Sequence, residues 1–182
     1  MTAANEHFSR YGYEKTTVAD LAKQVGYSKA YIYRFFESKH AIGETICSQC
    51  LKGIVADVNS AVAATQSATE AFRVLVKTLV TNSQNFFFSD RKLYDIAAHS
   101  ASERWDSYQH YETTIAGVVR EVLLRGRESG EFERKTPLDE TVRAIMQVIQ
   151  PFMNPVMLQY NLNAVPDASG EVVSLVLRSL SP

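Results

Sequence analysis

Between Thr17 and Phe36 the chain has to stop one helix and start another within about three residues, and this fixes how it must turn. Val18, Leu21, Ala22 and Val25 repeat at i, i+3, i+4 and i+7, the spacing of a helix with one buried face. Thr17 can cap that helix, and Asp20 stands in capping-box position with its charge in the first turn. Gly26 sits where a helix ends in the left-handed conformation, and Ser28 is a natural N-cap for the helix that follows. Helices joined by so short a turn cross steeply, which is the helix-turn-helix unit.

In the second helix Ile32 and Phe36 continue the buried stripe. Lys29, Ala30, Tyr33 and Arg34 then fall largely on the exposed face, with Tyr31 at its border. A helix of this kind sets its N-terminal residues against base edges in the major groove of double-stranded DNA. There Lys donates to guanine O6 and N7, and Ala meets a thymine methyl. Lys29, Ala30 and Tyr31 are therefore the base-reading candidates. Tyr33 and Arg34 lie nearer the groove wall, and Lys39 opens the next helix after Ser38, placing them to bind phosphate and fix register. The competing reading is a plain helical hairpin with a solvated polar face.

The wider pattern narrows the choice. Phe8-Ser9-Arg10-Tyr11-Gly12-Tyr13-Glu14-Lys15-Thr16-Thr17-Val18-Ala19-Asp20-Leu21-Ala22, then Gly26-Tyr27-Ser28-Lys29-Ala30-Tyr31-Ile32-Tyr33 and Phe36-Glu37-Ser38-Lys39-His40-Ala41-Ile42, resembles the N-terminal domain of the tetracycline-repressor (TetR) family. The resemblance covers roughly the first quarter of the chain. Further on only the number of helices and the stretch Gly126-Arg127-Glu128-Ser129-Gly130-Glu131-Phe132, which is similar to the close of a long helix in that family, extend it. It implies base contacts at Lys29, Ala30 and Tyr31 and phosphate contacts at Thr17, Tyr33 and Lys39. With Ser28 at the cap and Arg34 beside the groove, the expected DNA-facing set is Thr17, Ser28, Lys29, Ala30, Tyr31, Tyr33, Arg34 and Lys39.

The chain also departs from the family pattern: Tyr27 replaces a frequent Val, Ala30 a frequent Gly, Phe35 a frequent His or Tyr, and His40 a frequent acid. Phe35 cannot donate a hydrogen bond to phosphate. Met1-Thr2-Ala3-Ala4 falls inside the family's first helix without the basic residues that often precede it, so either the start is truncated or phosphate affinity is reduced.

A net charge of −1 argues against general coating of nucleic acid, which needs many phosphate-neutralising cations. The positive charge is local: Lys23, Lys29, Arg34 and Lys39 stand against Glu37 alone between positions 23 and 39. With 182 residues, 46% of them hydrophobic, the chain can hold a compact core, either as one domain or as a small head on a larger helical body. The expected division is a DNA-binding domain over 1–45 and a helical ligand-binding and dimerisation domain over 46–182, all-α throughout. No apolar run resembles a signal peptide or a membrane span, so a cytoplasmic protein is expected.

Cys47 and Cys50 form a C-x-x-C pair, but mid-helix, with no second pair and only His40 close by. Buried free thiols are the simpler reading, a thiol switch the alternative. His7, His40, His99 and His110 share no metal-ligand spacing, and neither a phosphate-binding glycine loop nor a nucleophile elbow is present. Hence no catalytic residue, metal or cofactor is expected, although a helical enzyme or an interaction protein is the reading from another class.

Beyond the head, Ile42, Ile46, Leu51, Val55, Val58 and Val62 form a long stripe leading into the body. Ser67 with Glu70 reads as a capping box, a short helix follows near Leu93 to Ala98, and a long one is expected from about Ser102 to Ser129, ended by Gly130. Thr136-Pro137 reads as a cap with Pro at the first helical position, opening a helix that reaches Tyr160 with kinks at Pro151 and Pro155. Pro166-Asp167 opens the last helix. These final two helices carry more apolar surface than one face needs, which suits a homodimer built as a four-helix bundle, and the resemblance favours it. Two recognition helices on a two-fold axis read half-sites about 34 Å apart, so a palindromic operator is expected.

Phe72, Phe86, Tyr94, His99, Trp105, Tyr108, Met146 and Phe152 are the candidate effector-pocket residues, with ordinary core as the competing reading; a pocket among them would have a mainly apolar wall suited to a hydrophobic or aromatic molecule. Phe86, Phe87 and Phe88 cannot all face one side of a helix. The mechanism that the resemblance implies is effector binding that moves the helix over 42–62 and separates the recognition helices; repression is the family default, activation the alternative.

Overall fold

Local capping decides where the helices of the head begin. The computed structural model describes residues 2–182, so the expectation concerning the start at Met1 lies outside the described residues. The first helix, α1 (Thr2–Tyr11), stops at Gly12, whose φ is +84°. In α2 (Val18–Gln24) the Thr17 hydroxyl accepts from the Asp20 N–H while the Asp20 carboxylate accepts from the Thr17 N–H, the full capping box. Gly26 takes φ +73°, and Ser28 accepts from the Tyr31 N–H to cap α3 (Lys29–Tyr33). Ser38 then caps α4 (Lys39–Ala63).

The body is built by α4 with α5 (Ala68–Ser89), α6 (Arg91–Ser102), α7 (Asp106–Ser129), α8 (Leu138–Met153), α9 (Pro155–Asn161) and α10 (Val165–Ser179). Among the described residues there is no strand. α4 lies against α5 and α7, and α5 also packs on α7, α8 and α10, which makes α5 the centre of the body. Ile42, Ile46, Leu51 and Val58 of α4 are buried as the stripe required, with Val55 and Val62 at its edge. They meet Phe72, Leu75 and Leu79 of α5 and Ile115, Val119 and Leu123 of α7 in one continuous core. Each such side chain contributes about 1.5–3 kcal/mol by leaving water.

Four local expectations are corrected. α7 begins at Asp106, not Ser102, because Arg104 takes φ +52° and the Glu44 carboxylate of α4 accepts from the Asp106 and Ser107 N–H groups. Ser67 caps α5, but the acid that closes the cap is Glu131, which accepts from the Ser67 hydroxyl and the Ala68 and Thr69 N–H groups. Pro137 is the N-cap of α8 rather than its first helical residue. The helix expected to reach Tyr160 is two, because Pro155 has no N–H to continue α8 and Asn154 caps α9 afresh. Pro151 is accommodated inside α8, and Pro166 lies in the first turn of α10.

The head rests on α6 and the start of α7. Tyr13 packs edge-on against Trp105 with ring centroids 5.5 Å apart, and both are buried. Gly43 makes room for them: a Cβ there would stand 2.7 Å from Tyr13 Cε2 and 3.0 Å from the Trp105 ring. Ser9 donates to the Asp90 carboxylate and Lys92 to the Arg10 carbonyl. The boundary expected between 45 and 46 falls inside α4, which therefore runs unbroken from head to body.

Candidate functional site

α3 is only five residues long and none of them is buried. Ile32 and Phe36 pack against the core from one side, which turns Lys29, Ala30, Tyr31, Tyr33 and Arg34 outward together. Lys29 Nζ lies 5.6 Å from the Tyr33 ring centroid, so a cation rests against the aromatic face beside it. No acidic side chain interrupts the sequence from Leu21 to Phe36.

The capping residues of the expected set are engaged within the head. Thr17 donates to Asp20 Oδ2 at 2.6 Å, and this bond is the chief cause that holds the Asp20 carboxyl below its usual range. Ser28 is occupied as the cap of α3. Lys39 Nζ donates to the carbonyls of Tyr13 and Glu14 at 3.2 and 3.3 Å and sits 4.5 Å from the Tyr13 ring centroid. An ammonium has three donors, so one is left for phosphate. The structure thus brings the α3 residues onto one surface, while Lys39 is turned toward the α1–α2 connection.

The eight pocket candidates divide differently. Phe72, Tyr94, Trp105, Tyr108, Met146 and Phe152 are buried, and Phe86 is partly so. His99 instead lines a cleft at the junction of head and body with Tyr13, Glu14, Lys92 and Gln159. The phenylalanine run resolves into Phe87 buried, Phe86 half-buried and Phe88 exposed, with Arg91 4.1 Å from the Phe87 ring centroid. The Tyr94 hydroxyl donates to the Pro155 carbonyl at 2.8 Å.

In the middle of the body the hydroxyls of Tyr108 and Tyr111, and that of Ser107, are buried without a hydrogen-bond partner. Asn154 and Ser83 lie toward the two phenols but outside hydrogen-bond geometry. Burial pushes both phenols far up, so they are neutral donors at any physiological pH. An unsatisfied buried hydroxyl costs about 1–3 kcal/mol, so two on adjacent rings mark a place where a polar atom would be welcome. Nothing in the sequence sets Tyr111 apart from core at helical spacing; its orphaned oxygen is a product of tertiary packing.

Cys47 and Cys50 are free thiols of α4, Cys47 buried with Sγ 3.1 Å from the Ser100 hydroxyl. Among the described residues no three His, Cys, Asp or Glu side chains gather as a metal group, and no helix is long and apolar enough to cross a membrane.

Residues 1–45 match the family model described as bacterial regulatory proteins, tetR family, and residues 68–173 match that of the tetracyclin repressor-like C-terminal domain. Among solved structures, the TetR family transcriptional regulator PfmR from Thermus thermophilus is 25% identical, with a TM-score of 0.61 over 97% of this chain and 95% of that one. The transcriptional regulator FadR from Bacillus subtilis, in complex with stearoyl-CoA, is 17% identical with a TM-score of 0.70 over 97% and 95%. SmeT, the repressor of the Stenotrophomonas maltophilia multidrug efflux pump SmeDEF, is 14% identical with a TM-score of 0.73 over 100% and 88%. No curated protein sequence matches the chain at a significant level.

Proposed function

The chain belongs to the tetR family of bacterial regulatory proteins and is a DNA-binding transcriptional regulator, and from that premise we propose that it is a ligand-responsive repressor. It binds a palindromic operator as a homodimer and is released by a small hydrophobic or aromatic effector. The observation that carries the DNA half of this reading is the outward surface of α3. Lys29, Ala30 and Tyr31 meet base edges there, while Tyr33 and Arg34 grip phosphate, with Thr17, Ser28 and Lys39 ordering the backbone around them. Residues 1–45 act as the DNA-binding head and 46–182 as the sensing and dimerising body.

For the effector, the buried side chains of Phe72, Tyr94, Trp105, Tyr108, Met146 and Phe152, with half-buried Phe86 beside them, favour an apolar molecule, and the free hydroxyls of Tyr108 and Tyr111 favour one polar atom upon it. The B. subtilis FadR structure, which shares this fold, was solved in complex with stearoyl-CoA, whose acyl chain is apolar. Binding would part α5 from α7. Because Glu44 of α4 caps α7, a shift of the α7 N-terminus is passed directly to the helix that carries the head.

Selection of duplexes from a random DNA pool with the full chain, followed by a screen for compounds that release the best one, tests the reading. A two-fold symmetric sequence is expected, and Lys29→Ala should weaken it by about 1–3 kcal/mol and relax the base preference at one position per half-site. An unrepeated site bound by a monomer, or unchanged affinity for Lys29→Ala, would count against it.

A further inference from the structure

Three aromatic rings stand on the surface of the head where no core claims them. Tyr27, Tyr31 and Phe35 are 56%, 37% and 63% exposed, and they follow one another at i, i+4 and i+8. Tyr27 stacks on Tyr31 with centroids 4.5 Å apart and planes 26° from parallel, and Tyr31 meets Phe35 edge-on at 5.2 Å. Scattered exposed apolar side chains are ordinary, but a contiguous ladder of three is a patch that a partner covers.

Its setting says which partner. The ladder spans α3, with Tyr27 just before it, Tyr31 within it and Phe35 just after it, and the segment from Leu21 to Phe36 carries three cations, Lys29 and Arg34 among them, and no acid. A polyanion fits that field, an apolar or basic protein surface does not, and the DNA-binding reading of α3 makes DNA the polyanion. Within DNA, the apolar groups presented to a helix in the major groove are the C5-methyl groups of thymine, which aromatic and small side chains contact directly. Phe35 has no donor, so its exposed ring cannot serve a phosphate by hydrogen bonding.

We propose that Tyr27, Tyr31 and Phe35 form one apolar reading edge that recognises thymine methyl groups, making this regulator selective for half-sites that present thymine base edges to it in the major groove. The inference rests on the DNA-binding reading of α3. It adds Tyr27 and Phe35, which neither the capping geometry nor the charge pattern assigns to recognition. The ladder acts as a unit: Tyr31, held between two rings, loses little side-chain freedom on binding. Its contribution to affinity is independent of salt, unlike that of Lys29 and Arg34.

The test uses the duplex recovered from the random pool, with each thymine replaced in turn by deoxyuridine, which removes the methyl group and nothing else. At one or more half-site positions the wild-type chain should lose about threefold to fivefold in affinity, the worth of one buried methyl. Phe35→Ala or Tyr27→Ala should bind the thymine duplex more weakly and lose that discrimination, with the slope of affinity against salt unchanged. Both rings are exposed, so thermal unfolding of the variants should match wild type. Equal wild-type affinity for thymine and deoxyuridine duplexes overturns the proposal, as does full discrimination retained in both variants. Failure to enrich any duplex overturns the DNA-binding reading itself, and this inference with it.

Discussion

Burial governs the chemistry of the two thiols on α4. It pushes the Cys47 thiol up and the Cys50 thiol up to about 11, so at neutral pH the Cys50 thiolate is on the order of one part in ten thousand. Both groups are therefore poor nucleophiles despite their C-x-x-C spacing. Labelling of the native chain by an aromatic disulfide reagent at pH 7 should run at least about 100-fold slower than in denaturant, and mild oxidation should leave operator affinity unchanged. Rapid labelling of either thiol would restore the redox reading. The contrast with Thr17, Gly26 and Ser28 is instructive. Their roles were legible because a cap or a positive φ is decided within three or four residues of chain. The environment of Cys47 depends on Ser100, and that of Lys39 on the carbonyls of Tyr13 and Glu14, neighbours that only folding supplies.

At the scale of elements, the stretch from Gly126 to Phe132 shows how a few residues can close one helix and start another. Gly130 ends α7 with φ +81°, and Phe132 folds back so tightly that a Cβ at Gly126 would overlap its ring. Glu131 then lands on the N-terminus of α5, where hydrogen bonds from Thr69 and Ala68 and the Ser67 hydroxyl bring its carboxyl down to about 2 from an ordinary 4.5. Because the folded value is depressed, the stabilisation is complete above about pH 5 and is lost as pH falls toward 2. Glu131→Gln should therefore lower stability by about 1–2 kcal/mol at pH 7. In thermal or urea unfolding, the gap to wild type should narrow steadily between pH 5 and 2; a gap that does not change with pH would show that the charge is not what holds α5. The Gly130 stop was visible in sequence, as was the periodicity of every long helix. The start of α7 and the acid that closes the Ser67 cap of α5 were not, because each is supplied from more than sixty residues away in the chain.

For the whole molecule, the decisive quantity is how many heads one regulator brings to DNA. With a net charge of −1 and only a handful of cations around α3, a single head makes few phosphate contacts, and the proposed homodimer would let two heads act together. α8 and α10 offer the means. Val148 and Leu175 stand exposed on either side of a groove lined by Ala144, Ile145 and Val176, continuous with the core beneath. The same face on a second copy would be self-complementary under two-fold symmetry, and the apolar surplus on these helices was already apparent from their sequence. Replacing both Val148 and Leu175 by Glu places four like charges in the proposed interface without touching the head. Sedimentation should then report a monomer, and affinity for the full operator should fall by at least about 100-fold, while affinity for an isolated half-site stays at its wild-type value. A double variant that remains dimeric would move the interface elsewhere. One that becomes monomeric yet keeps full operator affinity would instead break the link between two-fold symmetry and operator recognition.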